Sequence, residues 1–108
     1  MKSIYKYGPI CNTPGIPHKV AMPPGAVILS VQYQAADKYY GGIFIWAVVD
    51  IPPISDPTVT VEARTFISVG TGWDVQDHFM DNAKHLATVQ SGDFVWHVFE
   101  ILAPKEKT

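Results

Sequence analysis

The run Asp93-Phe94-Val95-Trp96-His97-Val98-Phe99-Glu100-Ile101-Leu102 decides the fold class. Valine and aromatic residues suit the pleated, half-buried surface of a sheet, and successive side chains alternate between its faces. One face carries Phe94, Trp96, Val98 and Glu100; the other carries Val95, His97, Phe99 and Ile101. A strand with one wet face alternates apolar with polar residues. This run is apolar on both faces, which predicts an interior strand covered on both sides, by a second sheet or by a partner chain. Gly92-Asp93 reads as a tight turn, and Leu86 to Gln90 is then the hairpin partner. Pro104 and the charged Lys105-Glu106-Lys107 are expected to end the ordered chain, leaving residues 103–108 as a flexible tail.

Outward from that run, Ile43 to Asp50 is a second stretch apolar on both faces. Val27 to Gln34 alternates. Its expected core set is Val27, Leu29, Val31 and Tyr33, and Ile28, Ser30, Gln32 and Gln34 lie on a face that is wet or lines a site. Val59 to Val69 is a long strand. Its odd positions Val59, Val61, Ala63, Ile67 and Val69 are mainly apolar, and its even positions Thr60, Glu62, Arg64 and Ser68 are polar, apart from Phe66. Ser3 to Tyr7 is a short strand closed by Gly8-Pro9. Residues 8–17 form a loop, and His18 to Met22 an edge strand before the Met22-Pro23-Pro24-Gly25 turn. Asp74 to Lys84 is the helix candidate, with Asp74 as N-cap and Val75, Phe79 and Met80 as its apolar stripe. The pattern implies an all-β fold: a small β-sandwich or flattened barrel of about six to seven mainly antiparallel strands, with one short helix near 74–84.

At 108 residues the chain is expected to form a single β domain, 1–108. Its hydrophobic fraction of 47% supports a folded chain. A net charge of −2 argues against a nucleic-acid binder. Arg64 is the only arginine, so one chain offers no Arg-rich phosphate cradle. The single cysteine, Cys11, excludes an intramolecular disulfide and a Cys-rich zinc site. No run approaches the roughly 20 apolar residues of a membrane span. Met1-Lys2-Ser3-Ile4-Tyr5 lacks the apolar core of a signal peptide. An intracellular location is therefore expected, with no cofactor and no metal.

Candidate site residues are few. His97 in its apolar strand is either a core or interface histidine or a ligand contact or base. His78 and His85 flank the possible helix, but a metal needs three or four compact ligands, and a solvated acidic face is the simpler reading. Gly70-Thr71-Gly72-Trp73 leaves a strand, where free backbone N–H groups hold anions. No Lys-Ser/Thr follows, so it is not a nucleotide-hydrolase loop. Arg64 suits a phosphate or carboxylate bidentately, or a surface cross-strand pair with its neighbours. Trp73, among glycines, is the tryptophan placed in a site; Trp46 and Trp96 are placed in the core. Gln34 closes the polar face of its strand. Tyr39 and Tyr40, before Gly41-Gly42, are the expected interface anchors.

Several pieces together resemble a family of small uncharacterised β-domain proteins of phage and prophage genomes. They are Ile4-Tyr5-Lys6-Tyr7, Met22-Pro23-Pro24-Gly25-Ala26-Val27-Ile28-Leu29-Ser30-Val31-Gln32-Tyr33-Gln34, Trp46-Ala47-Val48-Val49-Asp50, Arg64-Thr65-Phe66, Gly70-Thr71-Gly72 and His97-Val98-Phe99-Glu100. The chain departs from the family pattern at the longer loop 35–42, at an insertion from Trp73 to about Lys84, and in running past Glu100. The resemblance implies a phage origin and a β fold, and supplies no activity; the expected location is the host cytoplasm. The expected function is a counter-defence protein that sequesters a small nucleotide-derived immune signal without cleaving it, as a homo-oligomer. Its ligand residues would be Arg64, Thr71, Gly72, Trp73, Gln34 and His97. The alternative is a protein–protein inhibitor of a host defence component, or a small accessory phage protein, working through Tyr39 and Tyr40. An enzyme using His97 as base is the third reading. Neither nucleic acid nor membrane is an expected partner.

Overall fold

The computed structural model describes residues 1–11, 13–35, 41–51 and 60–102. Among these, seven strands form two sheets, and one helical turn joins two of the strands. The strands are β1 (Lys2–Ile10), β2 (His18–Met22), β3 (Val27–Gln34), β4 (Gly42–Asp50), β5 (Glu62–Gly70), β6 (Ala83–Ser91) and β7 (Phe94–Ile101); α1 is Asp77–Met80. One sheet has the order β1-β4-β3 and the other β2-β5-β7-β6, with every neighbouring pair antiparallel. Two separate sheets around one core make this a small all-β sandwich.

The run that opened the sequence reading is β7, an interior strand paired with β5 and with its hairpin partner β6. The hairpin turns at Gly92, whose φ of +58° suits a residue without a Cβ. Val98 and Glu100 are buried toward the other sheet, whereas Val95, His97, Phe99 and Ile101 are half-buried on the outer face. β4 is the central strand of the first sheet. Ile43, Ile45, Ala47 and Val49 point inward and join Ile10, Met22, Val31, Phe66, Val89 and Val98 in the core.

Side-chain parity differs from the sequence expectation in two strands. β3 carries a bulge between Ile28 and Ser30. Ile28, Val31 and Tyr33 therefore pair with inward residues of β4, Val27 lies on the outer face, and Leu29 is 53% exposed. The extra residue of a bulge shifts the alternation by one. In β5 the even positions face inward. Phe66 and Ser68 are fully buried, and Arg64 is half-buried beside Glu100. Ile67 and Val69, from the apolar odd positions, are buried on the opposite face and lie outside the core cluster.

β5 and β6 both run antiparallel to β7, so they run parallel to each other. The connection 71–82 must therefore return the length of the sheet. That path leaves little room for a helix: only Asp77–Met80 is helical, its N-cap is Gln76 and not Asp74, and no side chain caps it. Strand β1 also runs further than expected. It continues through the cis Gly8–Pro9 bond to Ile10, with an irregularity after Tyr7. The loop expected at 8–17 is thus shorter. Tyr39, Tyr40, Val59 and the 103–108 tail lie outside the described residues.

Candidate functional site

An aromatic cleft forms where β5 ends beside the start of β7. Gly70 closes β5, and the Thr71-Gly72 turn folds the chain back, with the Trp73 N–H donating to the Gly70 carbonyl at 3.1 Å. Gly72 has φ +85°, a conformation glycine adopts without strain. The turn lays the Trp73 indole over Gly70 so closely that a Cβ there would sit 2.8 Å from the indole nitrogen. Trp73 meets Trp96 edge-on, with centroids 5.3 Å apart, and Trp96 stacks with Phe94 at 5.9 Å and 14°. Such pairs add about 0.5–1.5 kcal/mol each beyond area burial. Yet Trp73 is 51% and Phe94 65% exposed. Gly70, Thr71, Trp73, Asp93, Phe94 and Trp96 line a cleft of about 300 Å³ there.

A polar chain runs from this cleft across the outer face of the sheet. Thr71 Oγ1 lies 2.7 Å from His97 Nε2, His97 Nδ1 lies 3.1 Å from Thr88 Oγ1, and Thr88 Oγ1 lies 3.1 Å from His85 Nε2. Both ring nitrogens of His97 are thus held by hydroxyls. In a Ser-His-Asp triad a carboxylate occupies the place that Thr88 takes here. With a hydroxyl in that place, the arrangement orients His97 and Thr71.

A second cleft, of about 450 Å³, opens between the two sheets, with Trp96 also among its lining residues. Ile10, Ile43, Pro9 and Tyr33 form its walls, with Cys11 and Ser68 also lining it. Burial pushes the Cys11 thiol up to about 11, an effect partly opposed by the Ser68 hydroxyl nearby. Cys11 is therefore a neutral thiol near neutral pH, not an activated nucleophile.

The family assignment follows from the whole length of the sequence. The chain belongs to the family described as Domain of unknown function (DUF7352), whose model matches residues 1–108. No curated protein and no solved structure matches the chain. Family membership therefore carries no activity, and function has to be argued from the site.

The residues expected to form one ligand site are divided among three places. Thr71, Gly72 and Trp73 meet at the aromatic cleft, and His97 reaches it through Thr71. Gln34 lies on the outer face of the other sheet, where its amide oxygen accepts from the Lys6 ammonium. Arg64 is seven residues before Thr71 on β5, about 23 Å away at roughly 3.3 Å per residue. Its guanidinium is engaged: Nε and Nη2 donate to Glu100 at 2.6 and 2.7 Å, and Nη1 donates to the Ala26 carbonyl. The hydrogen bond to Glu100 holds the guanidinium pKa above its usual value.

The sequence reading placed Trp96 in the core, and the half-buried ring does pack against the core cluster while also lining the cleft; Phe94 and Asp93, given no site role, line it with Trp73. The signal available was the Gly92-Asp93 turn, which puts the first residues of β7 at the mouth of the sandwich. His78 belongs to α1 and His85 to β6, so they share no helix face. Among the described residues no group of three His, Cys, Asp or Glu side chains is placed to hold a metal ion. Among them, too, no helix is long and apolar enough to cross a membrane.

Proposed function

We propose that this is a phage-encoded, non-catalytic binding protein that takes a small nucleotide-derived signal by its flat ring and holds it unmodified in the host cytoplasm. The observation that carries the reading is the aromatic cleft, where Thr71, Trp73, Phe94 and Trp96 surround one small space with two half-exposed rings. Base-on-aromatic stacking tolerates any base and is worth about 1–3 kcal/mol per base. Thr71 supplies a hydroxyl held by His97. The lack of a carboxylate behind His97 favours holding over cleaving.

The electrostatics shape the proposal. Asp93 lines the cleft, and Arg64 is committed to Glu100. One chain therefore reads the ring end and leaves the phosphates poorly matched. Micromolar binding requires about 8 kcal/mol, more than stacking alone supplies. A second copy contributing further contacts closes that gap, which is why the functional unit is proposed to be a homo-oligomer. A Trp73→Ala variant tests the reading: nucleotide affinity falls at least fivefold while the melting temperature holds. Unchanged affinity removes it.

A protein-binding reading has its own observation. On the outer face of the first sheet Ile4 is 60% and Val27 59% exposed beside half-buried Phe44, Trp46 and Val48. Lys6 spans the ring pair, 4.3 Å from the Phe44 centroid, so this face is partly covered from within. Capture of a host protein that is lost on Ile4→Asp would favour this reading over the nucleotide one.

A further inference from the structure

Ser68 is fully buried near the end of β5, and among the described residues its hydroxyl has no nitrogen or oxygen partner; only the Cys11 thiol, a weak hydrogen-bonding group, lies beside it. Buried polar groups are nearly always paired, and an exception needs a reason. The reason here is geometric. The backbone around Ser68 is satisfied, since its carbonyl accepts from the Gly15 N–H at 2.7 Å. The side chain instead lines the cleft between the two sheets, about 450 Å³ in size. That volume falls within the range of small-ligand pockets. The walls are apolar, formed by Ile10, Ile43, Pro9, Pro14, Tyr33 and Trp96, and no charged side chain lines the space among the described residues. An ionic ligand would lose its hydration there without compensation.

We propose that the inter-sheet cleft is a second ligand site, for a small uncharged ring compound carrying one hydroxyl or amide group that hydrogen-bonds Ser68 Oγ. A hydroxyl both donates and accepts, so Ser68 serves either polarity. The Cys11 thiol beside it is neutral and takes no covalent part. Trp96 is a wall of this cleft and of the aromatic cleft alike. The proposal does not rest on the nucleotide reading: neither Trp73 nor Thr71 lines this cleft, which shares Trp96 alone with the aromatic cleft.

Phenol and toluene are the probes, titrated into the full chain and followed by amide and indole NMR shifts. Both are expected to give saturable shifts at Ile10, Ile43, Ser68 and Trp96. In Ser68→Ala, phenol affinity is expected to fall about three- to tenfold, the worth of one hydrogen bond, while toluene affinity holds or rises. The toluene arm shows that the variant remains folded. Trp73→Ala should leave both affinities unchanged. The proposal is overturned by non-saturable shifts with both probes, by phenol binding indifferent to Ser68→Ala, or by loss of both probes in Trp73→Ala.

Discussion

Arg64 on β5 and Glu100 on β7 form a two-point ion pair inside the sandwich, with N···O distances of 2.6 and 2.7 Å. The third arm of the guanidinium reaches the Ala26 carbonyl just before β3, so the pair also ties the two sheets together. Both side chains are largely withdrawn from water. Removing one partner strands a buried charge, at a cost of roughly 3 kcal/mol. Arg64→Met and Glu100→Leu should each lower the unfolding free energy obtained by urea titration by about that much. The double variant should lose much less than the sum, since apolar replacements of similar volume satisfy each other. Additive losses would mean that the pair does not act as a unit.

That pair also shows how much of this fold is legible in the sequence. Strand positions, the interior place of β7, the β6–β7 hairpin and the edge strand β2 follow from residue type and turn signals. Parity in β5 does not. Alternation assigns Arg64 and Ser68 to solvent because a single strand cannot reveal its partners. Glu100 makes Arg64 acceptable inside, and the inter-sheet cleft receives Ser68. The candidate site suffers in the same way. Thr71, Gly72 and Trp73 are contiguous and could be found together, whereas Phe94 and Trp96 join them only through β5–β7 pairing, which is non-local.

The β3 bulge separates two residues that look equivalent in sequence. Val31 is buried and Leu29 is not. Leu29→Ala should change stability by less than about 0.5 kcal/mol, as exposed positions do. Val31→Ala should cost roughly 2 kcal/mol through lost burial and a cavity. Thermal denaturation of the two variants distinguishes the bulged register from simple alternation, which predicts equal losses.

Cys11 gives the protein an alkaline weakness. Its thiol pKa is raised from 9.0 to about 11 in the folded state by burial. The folded state thus holds the proton more tightly than the unfolded one. The associated stability is complete below pH 9 and is lost as pH rises through 11. A shift of this size corresponds to roughly 2–3 kcal/mol. Melting temperatures measured at pH 8 and pH 11 should fall further in the parent than in Cys11→Ala. Parallel profiles would show that Cys11 does not titrate from a buried state.

Gly70 holds the Trp73 indole in place by lacking a side chain. In Gly70→Ala the new Cβ would meet the indole at 2.8 to 3.1 Å, so the ring must move out of the cleft. The sheet is otherwise unaltered, since Gly70 does not use a positive φ. Tryptophan fluorescence should shift to the red, and nucleotide affinity should fall about as far as in Trp73→Ala. A variant with an unshifted spectrum and full affinity would show that the ring position is unimportant.

Native mass spectrometry of the protein with a panel of cyclic and ADP-ribose-type nucleotides, run in parallel on Trp73→Ala, tests the central claim most directly. The account predicts an intact nucleotide retained by an oligomer of the parent and absent from the variant. A nucleotide of altered mass, equal retention by Trp73→Ala, or no retention by the parent would contradict it.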